Sequence, residues 1–160
     1  MTSTNFNLFK SQIYFKDDFH SFAKCQELDR LYFAWPWGHS HWQDLAKDSQ
    51  NYSLFTIGSE NELTGLALYY IPPSSSLVHL LKLIMTPSVR RQGWGQKLLL
   101  KSMQDLQKIN RSEFYLEVEE NNTVALNLYN KIGYKILCRK KDFYGSKRNA
   151  LAMKYFVQNT

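Results

Sequence analysis

A mixed α/β sheet flanked by helices, folded as one domain over residues 1–160, is the architecture this sequence predicts. Three observations carry the prediction. Short apolar runs of strand length alternate with segments of helical period, and Gly, Pro and Ser clusters separate them. The chain is long enough for one core of its own. Apolar residues make up 44% and aromatic residues 15%, a composition that suits a packed globule rather than disorder.

The inferred order puts one strand ahead of the first helix. Asp17 or Asp18 can cap that helix, which runs to about Arg30 with Phe19, Phe22, Ala23 and Leu28 as its apolar stripe. The aromatic stretch from Leu31 to Trp42, around Pro36 and Gly38, reads as a loop with a short second helix after it. Two strands follow, about Tyr52 to Ile57 and Leu63 to Ile71, joined by a turn from Gly58 to Glu62. Pro72 to Ser76 breaks the chain before a central apolar strand, Leu77 to Met85. A loop containing Pro87 then leads into a helix. Trp94, Leu98, Leu99, Met103 and Leu106 recur on one face of it, with Lys97, Lys101, Asp105 and Lys108 opposite. Glu113 to Val118 is the next strand. Side chains alternate along it, so Phe114, Leu116 and Val118 share one face and Tyr115, Glu117 and Glu119 the other. Asn121 or Asn122 caps a last helix whose face carries Ala125, Leu128, Tyr129 and Ile132, and Gly133 ends it. Two strands, about Tyr134 to Phe143 and Asn149 to Phe156, close the chain as a hairpin. No repeat, long linker or domain boundary interrupts this order.

Several function classes are disfavoured. No apolar stretch approaches bilayer-spanning length, and the polar start from Met1 to Asn7 lacks a secretory apolar region, so no membrane partner is expected. Cys25 and Cys138 show no Cys-x-x-Cys pattern and no His stands at ligand spacing, so neither a disulfide framework nor a metal site is expected, which favours the cytoplasm. The net charge of +6 is uneven. Residues 1–80 hold 5 basic and 8 acidic side chains, giving −3; residues 81–160 hold 15 and 6, giving +9. An anionic partner for the second half, or simply a solvated basic face, accounts for this.

The segment Arg90-Arg91-Gln92-Gly93-Trp94-Gly95-Gln96 follows an apolar strand and opens a helix. First-turn N–H groups without intrahelical partners, glycines that let an anion approach and two arginines together suit a pyrophosphate; a tight turn with solvated arginines is the plain alternative. The segment is neither a Walker loop nor a complete Gly-x-Gly-x-x-Gly turn.

Arg90-x-x-Gly93-x-Gly95 resembles the acetyl-CoA pyrophosphate loop of the GNAT N-acetyltransferases. Leu116-Glu117-Val118, Asn122, Ala125, Leu128-Tyr129, Gly133-Tyr134 and Lys140-Lys141-Asp142-Phe143-Tyr144 resemble, more specifically, the bacterial ribosomal-protein-alanine N-acetyltransferases of the RimI type. This likeness covers roughly residues 77–145, with a weaker one at Trp35-Pro36-Trp37. It implies a GNAT fold, a mixed and mostly antiparallel sheet whose central strands splay to admit acetyl-CoA. It also implies Glu117 as general base, Tyr129 as general acid, Leu83, Ile84 and Met85 as main-chain partners of the pantetheine, and Arg90 through Gln96 as the phosphate cradle. Asn122 would bond the pantetheine arm, and the acceptor would be a protein N-terminal amine, a ribosomal protein's among the candidates. Read without the resemblance, Glu117 is a solvated strand charge and Tyr129 core packing. A small amine such as a polyamine, aminoglycoside or amino acid is the alternative acceptor. A non-enzymatic ribosome- or RNA-binding module is a further alternative, against which the chain lacks an aromatic-plus-basic RNA signature. Two departures stand out: Glu119 where an Arg often follows the motif, a carboxylate that can raise the pKa of Glu117 by like-charge repulsion or attract a cationic N-terminus, and a short final turn from Gly145 to Asn149. His39 and His41 read as a surface pair, and His79 as a hydrogen-bonded residue of the central strand.

Overall fold

The computed structural model describes residues 19–59 and 62–157. The expected leading strand and the Asp17 or Asp18 cap lie outside the described residues. Helix α1 (Phe19–Tyr32) and helix α2 (His39–Lys47) are followed by strands β1 (Tyr52–Gly58), β2 (Leu63–Tyr70) and β3 (Leu77–Met85). Helix α3 (Trp94–Gln107), strand β4 (Glu113–Glu119), helix α4 (Thr123–Ile132) and strands β5 (Lys135–Lys140) and β6 (Ala150–Phe156) complete the order.

The six strands form one sheet in the order β1-β2-β3-β4-β6-β5. Every pair is antiparallel except β3 with β4. Two cores sandwich it. On one face Leu98, Leu99, Met103 and Leu106 of α3 and Tyr129 of α4 pack against Val78, Leu80, Phe114, Leu116 and Val118. On the other, Phe22, Cys25 and Leu28 of α1 and Trp42 and Leu45 of α2 pack against Leu54, Leu66, Leu68 and Ile84. Phe22 and Leu28 are buried as the expected stripe of α1 requires, Cys25 and Asp29 are buried beside them and Ala23 is exposed, while the Phe19 side chain lies outside the described residues.

The two helix ends near β4 follow the sequence closely. The Asn122 side chain accepts from the Ala125 N–H at 3.1 Å, and Gly133 ends α4 with φ of 112°. Strand β5 is shorter than expected because Asp142, Gly145 and Lys147 take positive φ, which turns 141–149 into a compact loop. Inside β3, Leu68 faces Lys82 and Tyr69 faces Leu80, so Leu81 is an extra, bulged residue. The bulge shifts the alternation, and Lys82 points to the α1 side while Leu80 belongs to the α3 core.

Candidate active site

Parallel pairing between β3 and β4 runs from Leu77 opposite Glu113 to Leu80 opposite Leu116 and stops there. Both strands continue, β3 to Met85 and β4 to Glu119, so they part as a wedge. An open cleft fills it. Leu80 to Leu83, Glu117 to Glu119, Asn122, Ala125 and Tyr129 line it, with Trp35 and Tyr144 at its other wall. The expected splay is present.

At one end of the wedge, β3 leads through a short 3-10 turn (Pro87–Val89) into α3. Lys97 N–H to Gly93 O, at 3.0 Å, is the first bond of that helix, so the N–H groups from Gly93 to Gln96 precede the helical ladder. No acidic side chain stands in the first turn. Gly93 has φ of 81°, and a Cβ built there meets nothing within 4 Å. Open space in front of a helix N-terminus fits a phosphate group. Arg90 is less free than expected. Its Nε donates to Met85 O at 2.9 Å, and Gln92 Nε2 donates to Ser88 O at 2.8 Å, so both brace the loop. Arg91 is exposed with φ of 59°, and Trp94, Gly95 and Gln96 are half-buried. A Cβ at Gly95 would stand in ordinary contact with Met85 Cγ at 3.5 Å. Leu83 lines the cleft, whereas the Ile84 side chain turns into the α1 core.

Tyr129 and Glu117 meet the same cleft from α4 and β4. The Tyr129 ring packs on Tyr134 at 5.6 Å, and its hydroxyl has no hydrogen-bond partner among the described residues. Burial pushes that hydroxyl above its ordinary range, so it keeps its proton. The Glu117 side chain is only 8% exposed and is the acceptor of three side-chain hydrogen bonds. His79 Nε2 lies 2.6 Å from Oε2, while Lys140 Nζ at 2.6 Å and the Tyr115 hydroxyl at 2.7 Å share Oε1. Burial pushes the Glu117 carboxyl up, but the bonds from His79, Lys140 and Tyr115 outweigh it and hold the group at about 2.

Of the two readings of Glu119, the rise in the Glu117 pKa is therefore overturned. Arg148 grips Glu119 through two hydrogen bonds, 2.8 and 2.7 Å, and neutralises its charge before it can act on Glu117. His79, Tyr115 and Lys140 were not legible as site residues, being 38, 2 and 23 positions from Glu117 and placed by strand register. Alternation gave one usable signal, since Tyr115 and Glu117 share a face and His79 stands opposite Tyr115. Above them, Trp35 is sandwiched between the Tyr144 ring at 6.2 Å and the Arg148 guanidinium at 3.9 Å, and the Tyr144 hydroxyl donates to Glu117 O at 3.1 Å. His39 bonds Gln43 and His41 packs on Trp37, and both histidines are exposed.

Known proteins share parts of this sequence and this fold. Over 82 residues the chain is 33% identical to a ribosomal protein bS18-alanine N-acetyltransferase of Haemophilus ducreyi, which covers 49% of this chain and 57% of the relative. Over 76 residues it is 34% identical to an N-alpha-acetyltransferase of Sulfurisphaera tokodaii, covering 47% and 46%. The chain thus spans about half the length of these two curated relatives. The crystal structure of the Escherichia coli ribosomal-protein-S18-alanine N-acetyltransferase superposes with a TM-score of 0.76 at 20% identity, over 87% of this chain and 89% of that one. At that identity the likeness speaks for the fold. The model of the acetyltransferase (GNAT) family matches residues 22–134, more than half of the sequence, and the chain belongs to that family.

Proposed function

We propose that this protein moves the acetyl group of acetyl-CoA to an amine, and that the amine is the α-amine at a protein N-terminus. The observation that carries the reading is the wedge beyond Leu80 and Leu116, which brings a buried carboxylate and a tyrosine hydroxyl without a partner among the described residues to one cleft beside a glycine-led helix N-terminus. Bound acetyl-CoA would supply the thioester. Gly93 to Gln96 would hold its pyrophosphate, with Arg91 adding charge, and Asn122 and the Leu83–Met85 backbone would hold the pantetheine. Glu117 accepts the proton that the acceptor nitrogen must lose, directly or through water, and Tyr129 supplies one to the departing sulfur. An ammonium has no lone pair, so nitrogen attack depends on that first transfer. The pH at which the protein works is met by the acceptor itself. A terminal α-amine titrates near 8 against about 10.4 for lysine, so more of it is neutral and a weak base suffices. The family and the two N-acetyltransferase relatives support this reading, the ribosomal N-terminus being the finer part of it.

The test is a matched panel: a peptide with a free N-terminal Ala, the same peptide blocked, an internal lysine and spermidine. Acetate on the free terminus alone is expected by mass spectrometry. Equal rates on blocked and free peptides, or preferred acetylation of spermidine, would replace the reading with a small-amine or lysine acetyltransferase.

Cofactor binding is testable separately. Micromolar affinity for acetyl-CoA, about −8 kcal/mol, should fall at least tenfold in Gly93→Val. The variant strains a φ of 81° and fills the space in front of the helix. Calorimetry returning the wild-type affinity would place the phosphates elsewhere.

A further inference from the structure

The Glu117 carboxylate offers about four lone-pair sites, two on each oxygen. Oε1 is filled twice, by Lys140 Nζ and the Tyr115 hydroxyl, and Oε2 once, by His79 Nε2. One site remains, and it is on Oε2. We propose that Lys140 and His79 are positioning residues for acetyl transfer: from β5 and β3 they clamp the carboxylate so that the acceptor's proton passes to the open site on Oε2.

The clamp is itself supported. Lys140 Nζ lies over the Phe143 ring at 5.0 Å and the Tyr115 ring at 5.5 Å, which fixes its ammonium without a second carboxylate. The His79 ring packs edge-on against Tyr115 at 5.0 Å, directly across the strand pair. Among the described residues, Glu119 is matched by Arg148 and Lys82 by Asp29, which leaves Lys140 and His79 as the basic groups bonded to Glu117. In the transfer, the amine nitrogen bonds to the acetyl carbon, the carbon–sulfur bond breaks and the departing sulfur takes the Tyr129 hydroxyl proton, while the N–H bond breaks and an O–H bond forms on Oε2. The clamp trades base strength for aim. A carboxylate held at about 2 is a weak base, but it is ionised at every working pH and cannot rotate away.

This inference rests on Glu117 being the base, and the experiment separates the two. The rate kcat/KM is measured from pH 4.5 to 9 for the wild type, Lys140→Met, Lys140→Arg, His79→Leu and Glu117→Gln. Removing the opposite charge should lift the Glu117 limb by roughly 1 to 3 pH units, so Lys140→Met falls more steeply than wild type at the acid end and loses about tenfold at its plateau. Lys140→Arg, which keeps the charge, should restore the wild-type limb. His79→Leu should lower the plateau too, and acetyl-CoA affinity should be unchanged in all of these. Lys140→Met or His79→Leu curves that superimpose on wild type would overturn the clamp while Glu117→Gln stays impaired. A Glu117→Gln enzyme with wild-type rates would instead overturn the functional reading beneath it. Should Lys140→Met fail to fold, the steepened limb is read in Lys140→Gln and His79→Leu by the same criterion.

Discussion

Glu117→Gln should lower turnover by about a hundredfold or more at neutral pH while leaving acetyl-CoA affinity nearly intact. The amide keeps the shape of the side chain but offers nitrogen no basic oxygen, and it leaves Lys140 facing a neutral group at 2.6 Å. Tyr129→Phe should slow chemistry as well, since it removes only the hydroxyl in the cleft. Stability should move in a predictable direction. The folded-state pKa of Glu117 is depressed from 4.5 to about 2, so its ionisation stabilises the fold above the unfolded value and that contribution is lost as pH falls through the folded one. The wild type should therefore lose stability between about pH 4.5 and 2 more steeply than Glu117→Gln does, measured by urea midpoints. Wild-type kinetics for Glu117→Gln across pH 6 to 9 would show that the base lies elsewhere, and the buried Glu117 carboxylate with its bonds to His79 and Lys140 would then need a purely structural account.

Much of the scaffold was written locally. Asn122 and Gly133 bracket α4 because a cap and a left-handed terminus are properties of single residues. The period of α3 predicted its buried face, Leu98, Leu99, Met103 and Leu106, without knowledge of what it packs on. The wedge came from resemblance, since nothing in either strand announces that pairing stops at Leu80 and Leu116. What could not be read was anything set by register across the sheet. Glu117 is defined chemically by His79 and Lys140, and those partners arrive only when β3 and β5 are placed beside β4 and β6. Glu119 misled for the same reason: its neighbour on the strand is a like charge, but its neighbour in space is Arg148. Lys82 was the other silent residue. A lysine within the run Leu80-Leu81-Lys82-Leu83-Ile84 looks like a solvated break in the apolar pattern, and the bulge at Leu81 sends it inward instead.

That buried lysine supports the second large expected effect: Asp29→Ala should cost about 3 to 5 kcal/mol of stability at pH 7. Asp29 and Lys82 side chains are both 0% exposed and bonded at 2.7 Å. The second Asp29 oxygen accepts from Trp37 N–H at 2.8 Å and Trp42 Nε1 at 3.0 Å, so one carboxylate ties α1, the aromatic loop, α2 and β3 together. Its removal strands an ammonium that, among the described residues, keeps the Phe33 and Trp37 rings, at 4.0 and 4.5 Å, and a 3.4 Å contact to Trp35 O. Burial already lowers the Lys82 pKa, with Asp29 pulling it back up, so in the variant burial acts unopposed and the lysine sheds its proton. The sign follows from linkage. The unfolded chain then holds a proton that the folded one lacks, and stability rises with pH until the unfolded lysine also titrates. Urea unfolding of Asp29→Ala should accordingly show its largest deficit near neutrality and recover part of it toward pH 10. The double variant Asp29→Ala/Lys82→Met should be more stable than Asp29→Ala alone, because a buried methionine leaves no stranded charge. A deficit below about 1 kcal/mol, the size typical of a solvated surface pair, would mean that the pair does not clamp the aromatic loop, and the position of Trp35 at the cleft would need another cause.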